Sequence, residues 1–135
     1  MSRIFDKTTK ALESAIKMRE IKQNVISSNI ANAETPGYHA KKMDFEEALG
    51  RAIDIDGLRS MSASDPKHYS LGGRSGAVKA EIYDNPDAAI NNDGNSVDIA
   101  QEMSSLSENT ISYKAAVSLI NKKLAALKYA AGDGR

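Results

Sequence analysis

The side chains that could carry metal or acid-base chemistry are few and scattered. His39 and His68 lie in different irregular stretches with no second His nearby, and the chain has no Cys. Neither therefore has the partners that a metal ion or a proton relay requires. Carboxylates before Gly57 and Gly94 resemble fragments of a calcium loop, but alanine occupies the positions of the first ligand and the closing Glu in both. We interpret both as turns.

Phosphate binding and nucleophilic catalysis are equally unsupported. The cluster Gly72, Gly73 and Gly76 lacks the Lys-Ser/Thr ending of a phosphate loop. No serine lies in a nucleophile elbow. We therefore expect no catalytic residue, no metal, no cofactor and no small-molecule substrate, and predict that the chain is not an enzyme.

One stretch has a definite local chemistry, that of a helix stop followed by a turn. It reads Ser-Asn-Ile-Ala-Asn-Ala-Glu-Thr-Pro-Gly-Tyr over residues 28–38. Pro36 disfavours a helical Thr35, and Pro36-Gly37 suits a type II turn. Asn29 and Asn32 are expected to satisfy backbone groups left open at the helix end. We call residues 29–38 the turn motif.

The turn motif follows a stretch with the periodicity of a helix. From about residue 3 to 32 there is no Pro or Gly, and apolar residues return at three- and four-residue steps. The broad apolar face is interrupted by Arg19 and Lys22. Two interpretations stay open: an amphipathic helix whose long basic side chains snorkel, or a helix with several neighbours in an assembly. The face comprises Ile4, Ala11, Leu12, Ala15, Met18, Val25, Ile26 and Ile30.

A second helix is predicted from about residue 99 to 131. Asp98 and Gln101 form a plausible capping box, and Gly132 is expected to stop the helix. Its apolar residues alternate three- and four-residue steps without a break, which indicates a heptad repeat. We call them the heptad stripe: Met103, Leu106, Thr110, Tyr113, Val117, Ile120, Leu124, Leu127 and Ala131.

These elements predict a mainly α fold in which two long terminal helices pack as an antiparallel coiled coil with apolar surface left over. A helix of ~30 residues is ~45 Å long, more than the roughly 37 Å diameter of a compact domain of this size. The middle segment is expected to be irregular or partly β, with a short helix over 44–52 and a strand over 78–83. The predicted organisation is 1–38 (first helix and turn), 39–96 (middle segment) and 97–135 (last helix), with both termini forming one helical domain.

Composition narrows the classes of partner. Only two Phe, five Tyr and no Trp are present, which favours a thin or elongated fold. Lys plus Arg equals Asp plus Glu at 18 each, without the basic field typical of nucleic-acid or anionic-membrane binding. The N-terminus lacks the pattern of a cleavable signal, and no stretch approaches the ~18 apolar residues that span a bilayer. We expect no nucleic acid and no direct membrane insertion.

The turn motif resembles a segment of the flagellar axial proteins, whose rod, hook and hook-associated members share Asn-x-Ala-Asn-x-x-Thr-Pro-Gly-Tyr/Phe after an N-terminal helix. Glu34 replaces an Asn that is frequent in that family. Other stretches resemble the family's proximal rod subunits: Met43-Asp44-Phe45, Asp65-Pro66-Lys67-His68, residues 93–98, Glu102-Met103, Glu108-Asn109 and Tyr113. The family's motif residues fall on Asn29, Ala31, Asn32, Thr35, Pro36, Gly37 and Tyr38.

The resemblance implies a structural subunit of the bacterial flagellar proximal rod that polymerises through its terminal helices. It also implies export without a cleavable signal by the flagellar type III apparatus, and a place in the periplasmic rod of the basal body. The implied partners are other rod subunits, further copies in a helical assembly and the export gate. The alternative is a soluble coiled-coil adaptor or export chaperone that does not polymerise. The expected packing and assembly residues are Ile4, Leu12, Met18, Val25, Ile26, Met103, Leu106, Tyr113, Val117, Ile120, Leu124 and Leu127.

Overall fold

The computed structural model describes residues 2–55 and 80–132, and their side chains over 8–52 and 80–132. Three helices and two short strands make up this part of the chain, and the predicted mainly α fold with two long terminal helices is confirmed. The predicted middle stretch from 56 to 79 lies outside the described residues. The elements are α1 (Ser2–Ala31), β1 (Lys41–Met43), α2 (Phe45–Ile55), β2 (Ile82–Asp84) and α3 (Ile99–Gly132).

The terminal helices α1 and α3 pack antiparallel along most of their length. Asn109 of α3 lies opposite Arg19, whereas the earlier Glu102 lies opposite the later Asn29. The predicted N-cap of α3 is present: the backbone N–H of Gln101 donates to Asp98 Oδ1 at 3.1 Å. A side-chain acceptor at this position satisfies an N–H that the helix itself leaves open.

A two-stranded antiparallel sheet holds the middle segment against α1. Lys41 pairs with Asp84 and Met43 with Ile82 across the ladder. The predicted strand over 78–83 overlaps β2, but its first two residues lie outside the described part of the chain. Strand β1 was not predicted, since three residues are too few to display an alternating pattern.

The described core is small and lies between α1, β1 and α2. Met18, Met43 and Ala48 form its centre, with Ile21 and Phe45 packed against them. Four of the nine buried hydrophobic residues described are alanines, which bury little apolar area each. The helix pair therefore extends well beyond the described core.

Candidate functional site

The turn motif ends α1 in the predicted type II turn. The N–H of Tyr38 donates to the carbonyl oxygen of Thr35 at 3.3 Å, and Gly37 has φ +71°. That positive φ is the conformation a type II turn requires at its third residue. Asn32 Nδ2 donates to the carbonyl oxygen of Ser28 at 2.8 Å, which also accepts from the Asn32 N–H at 3.1 Å, so the side chain adds a second hydrogen bond at the helix end.

Asn29 differs from the prediction, because its carboxamide bonds the next strand rather than its own helix end. Nδ2 donates to the Lys41 carbonyl oxygen, while Oδ1 accepts from the Lys41 N–H, both at 2.8 Å. Oδ1 also accepts from the Tyr38 hydroxyl at 3.1 Å, and Nδ2 donates to Glu102 Oε1 at 3.0 Å. The side chain is 1% exposed. One buried amide therefore connects α1, the turn, β1 and α3.

A second segment, directly before α3, closes over the turn. The Gly37 N–H donates to the Asp93 carbonyl oxygen, and the Ser96 N–H donates to the Tyr38 carbonyl oxygen, both at 3.0 Å. Asn95, which is also 1% exposed, donates through Nδ2 to the carbonyl oxygens of Asn32 at 2.9 Å and Thr35 at 2.8 Å. We call residues 29–40 together with 93–97 the motif clasp.

Two glycines let the halves of the motif clasp approach closely. Gly94 has φ +78°, a region that L side chains rarely adopt. A Cβ at Gly94 would lie 3.3 Å from the Gly37 Cα, whereas a Cβ at Gly37 would meet nothing within 4 Å. Gly37 is therefore required by its own backbone conformation, and Gly94 by both conformation and space.

A third buried amide fixes the register of the helix pair. Asn109 Nδ2 donates to the Arg19 carbonyl oxygen and to Gln23 Oε1, both at 2.9 Å. The guanidinium of Arg19 donates back to Asn109 Oδ1 at 3.3 Å and stacks on Phe45, 4.1 Å from the ring centroid. Arg19 thus interrupts the apolar face of α1 because its side chain contacts both Phe45 of α2 and Asn109 of α3. Such polar contacts specify register more than they add stability.

Comparison with known proteins identifies this architecture. A family model described as "Flagella basal body rod protein" matches residues 10–39, which contain most of α1 and the turn motif. The chain is 35% identical to the flagellar basal body rod protein FlgB of Aeromonas hydrophila, over 91% of both chains. The chain belongs to the FlgB family. It is also 35% identical to FlgB of Bacillus subtilis over 98% of both chains, and 28% identical to FlgB of Escherichia coli K12 over 90% of this chain and 92% of the relative.

The family motif divides into buried and exposed residues in this FlgB-family chain. Asn29 is buried, Asn32 and Tyr38 are half-buried, and Ala31, Thr35, Pro36 and Gly37 are exposed. The exposed residues shape the turn, whereas Asn29 connects it to the rest of the fold. Asn95 and Asn109, which complete these connections, are not among the site residues chosen from the sequence. Their only signal there was a resemblance to rod subunits over 93–98 and 108–109.

The predicted packing residues fall into three groups. Met18, Val25 and Ile26 are buried, and Leu12, Leu106, Val117, Ile120 and Leu127 are half-buried. Met103, Tyr113 and Leu124 are exposed, at 51%, 38% and 50%. The side chain of Ile4 lies outside the described ones.

The buried residues of α3 each come one position before a residue of the heptad stripe. Glu102, Asn109 and Ala116 are seven residues apart, and the last two are the buried residues of α3. Small and amide side chains there let the two helices approach closely. Met103 and Leu124 of the heptad stripe, in contrast, keep about half of their surface exposed.

Glu102 is a half-buried carboxylate that contacts the motif clasp through Asn29. Burial raises the pKa of Glu102, and the hydrogen bond from Asn29 Nδ2 partly opposes that rise. The residue borders an open cleft of ≈ 660 Å³ between α1, β1 and α3, which is lined by side chains of both charges. Among the described side chains no group of His or carboxylates is arranged to hold a metal ion. None of the described helices has the length and apolar character needed to cross a membrane.

Proposed function

We propose that this chain is a structural subunit of the flagellar proximal rod, which polymerises through α1 and α3 into the drive shaft of the basal body. One observation carries the proposal: Met103, Tyr113 and Leu124 of the heptad stripe remain exposed in the single subunit. Met103 and Leu124 keep about half of their surface exposed although both belong to the unbroken apolar repeat. A stripe of this kind is suited to contact with helices of neighbouring subunits.

The small core supports coupling between ordering of the helices and assembly. Fixing each residue costs ~1 to 2 kcal/mol of backbone entropy, which must be offset by burial worth ~25 cal/mol per Å². The described core is concentrated beside α2, so the far half of the helix pair recovers little of this cost within one subunit. Neighbouring subunits that bury the heptad stripe would supply the rest.

The motif clasp has a mechanical role in this proposal. It joins the exit of α1 to the entry of α3 through two buried asparagines and direct backbone hydrogen bonds. The two helices therefore leave the middle segment as one unit with a fixed register. Torque applied to one helix would then be transmitted to the other without rotation about the connecting turn.

The setting of the proposal is the periplasmic rod of the basal body, after type III export without a cleavable signal. Other rod subunits and the export gate are the proposed neighbours, and the proposed contacts are heterologous ones whose rotation does not close, which build a helical tube. The names of the FlgB relatives support a rod role and a non-enzymatic one. The alternative, a coiled-coil adaptor or export chaperone, has no supporting contact of its own.

Deletion of the gene in a flagellated host, followed by electron microscopy of isolated basal bodies, tests the proposal. We expect rings without a rod, and restoration of the rod by this chain. Intact rods in the deletion strain would contradict the proposal and favour the adaptor.

Three substitutions in α3 sharpen that experiment. Leu124→Glu should abolish rod assembly while the purified subunit keeps its helix content, because Leu124 is 50% exposed in the single subunit. Ile120→Glu should abolish assembly and also weaken the subunit, because Ile120 is half-buried within it. Leu119→Glu is the matched control, since Leu119 is 55% exposed but lies off the heptad stripe. Normal motility of the Leu124→Glu strain would count against assembly through this stripe.

A further inference from the structure

The zero net charge of the chain conceals a strong separation of charge. Residues 8–17 and 112–132 contain six Lys and one acidic residue. Residues 18–52 and 80–111 contain five basic and twelve acidic residues. Basic and acidic residues are therefore concentrated in different parts of the described chain.

The antiparallel packing converts this sequence asymmetry into two poles. Because Asn109 lies opposite Arg19, residues after 112 on α3 lie beside residues before 17 on α1. The free end of the helix pair is thus the basic pole, and the end that holds the motif clasp and α2 is the acidic pole. The basic-pole lysines are Lys10, Lys17, Lys114, Lys122, Lys123 and Lys128; all except the half-exposed Lys123 are exposed.

The described residues of the acidic pole do not neutralise one another. Three of its five basic residues, Lys41, Lys42 and Arg51, already pair with carboxylates of the same pole. Exposed carboxylates remain without an ion pair among the described residues, which leaves this end negative. They include Glu20, Glu34, Glu46 and Glu108.

We propose that copies of this chain associate head to tail, with the basic pole of one copy against the acidic pole of the next. The inference rests on the proposed rod function and specifies which surfaces meet. The charges of the two poles are opposite and comparable, and such a contact is heterologous, the type that builds an open filament when its rotation does not close a ring. Each pole also carries exposed apolar side chains, Leu124 and Tyr129 on the basic one and Ile99 and Met103 on the acidic one. The contact therefore combines charge complementarity with apolar burial.

Sedimentation velocity of the purified full chain tests this contact. Self-association should weaken about tenfold or more when salt rises from about 50 mM to about 500 mM, because exposed ion pairs are screened. Lys122→Glu and Lys128→Glu together remove most of the positive charge of the basic pole and should prevent association at low salt. Glu46→Lys and Glu108→Lys together remove more than half of the negative charge of the acidic pole and should do the same. An equimolar mixture of the two variants should associate again, because each retains one pole that fits the other.

Glu13→Lys is the matched control, since it makes an exposed basic-pole residue more basic and should preserve association. Circular dichroism of every variant confirms that the helices are formed. A wild-type chain that stays monomeric at low salt, variants that associate like the wild type, or a mixture that fails to recover would each overturn the head-to-tail contact. If rods still require the chain in the deletion host, that failure would leave the proposed function intact.

Discussion

Asn29→Asp is the substitution that examines the motif clasp most directly. The side chain keeps its shape, but Nδ2 becomes an oxygen that cannot donate. Two hydrogen bonds are lost, to the Lys41 carbonyl oxygen at 2.8 Å and to Glu102 Oε1 at 3.0 Å. Both contacts turn into close approaches between acceptors, one of them between two carboxylates. The bonds accepted from Tyr38 and from the Lys41 N–H remain possible.

The expected loss of stability follows from the burial of Asn29 and its partners. Each buried acceptor left without its donor costs about 1 to 3 kcal/mol, and the adjacent carboxylates add repulsion. We expect Asn29→Asp to lower the free energy of unfolding by about 3 kcal/mol at neutral pH, which is about 10 °C in Tm for a chain of this length. The folded state should raise the pKa of the introduced carboxyl, because only its protonated form can donate. The stability deficit should therefore shrink as the pH falls.

Thermal unfolding followed by circular dichroism measures this effect. Asn24→Asp makes the same chemical change at an exposed site of α1 and should alter the free energy of unfolding by no more than about 0.5 kcal/mol. Combining Asn29→Asp with Glu102→Gln should recover about 1 kcal/mol beyond the effect of Glu102→Gln alone, because the new amide can donate to the new carboxylate. Equal effects of Asn29→Asp and Asn24→Asp, or no recovery in the double variant, would refute the role assigned to Asn29.

Two further predictions concern the glycine pair and the half-buried carboxyl. Gly94→Ala should lower the free energy of unfolding by about 2 kcal/mol, against about 1 kcal/mol for Gly37→Ala, because both positions have positive φ but only Gly94 lacks room for a Cβ. Equal losses in urea unfolding would contradict this ranking. The folded chain holds the Glu102 proton more tightly than the unfolded chain, whose carboxyl has its ordinary pKa of 4.5. Proton binding to Glu102 therefore stabilises the folded state. This stabilisation is fully present below pH 4.5 and is lost as the pH rises through the folded pKa. Glu102→Gln should therefore raise Tm at neutral pH, with the gain vanishing toward acidic pH; a gain that does not vary with pH would contradict the assignment.

The helices and turn were predictable because their signals are local. An uninterrupted apolar period, the Asp98 cap and the Pro36-Gly37 turn each act within a few residues of the chain. Strand β1 was missed because three residues carry no recognisable period. Its position is instead set by Asn29, a side chain from the preceding helix.

The partners of the buried amides were not predictable from local pattern. Asn29, Asn95 and Asn109 bond groups up to 73, 63 and 90 residues away. An asparagine near a helix end or in a turn is expected to bond its own neighbours, so nothing in its sequence context indicates a distant partner. The two buried residues of α3, Asn109 and Ala116, are likewise not marked by the apolar period, which runs through their neighbours Thr110 and Val117.

The distant partners of the three amides also set an order of events for a chain that emerges from its N-terminus. When α1 and the turn motif have emerged, the residues that complete their hydrogen bonds are still 60 to 90 positions behind. Closing loops of that length is slow, because the loss of chain entropy is offset only when the distant contacts form. The core between α1, β1 and α2 uses residues close in sequence, but the motif clasp and the register of the helix pair are completed only once α3 is available. The contact between the two terminal helices is therefore the last to form, after nearly all of the chain has been delivered.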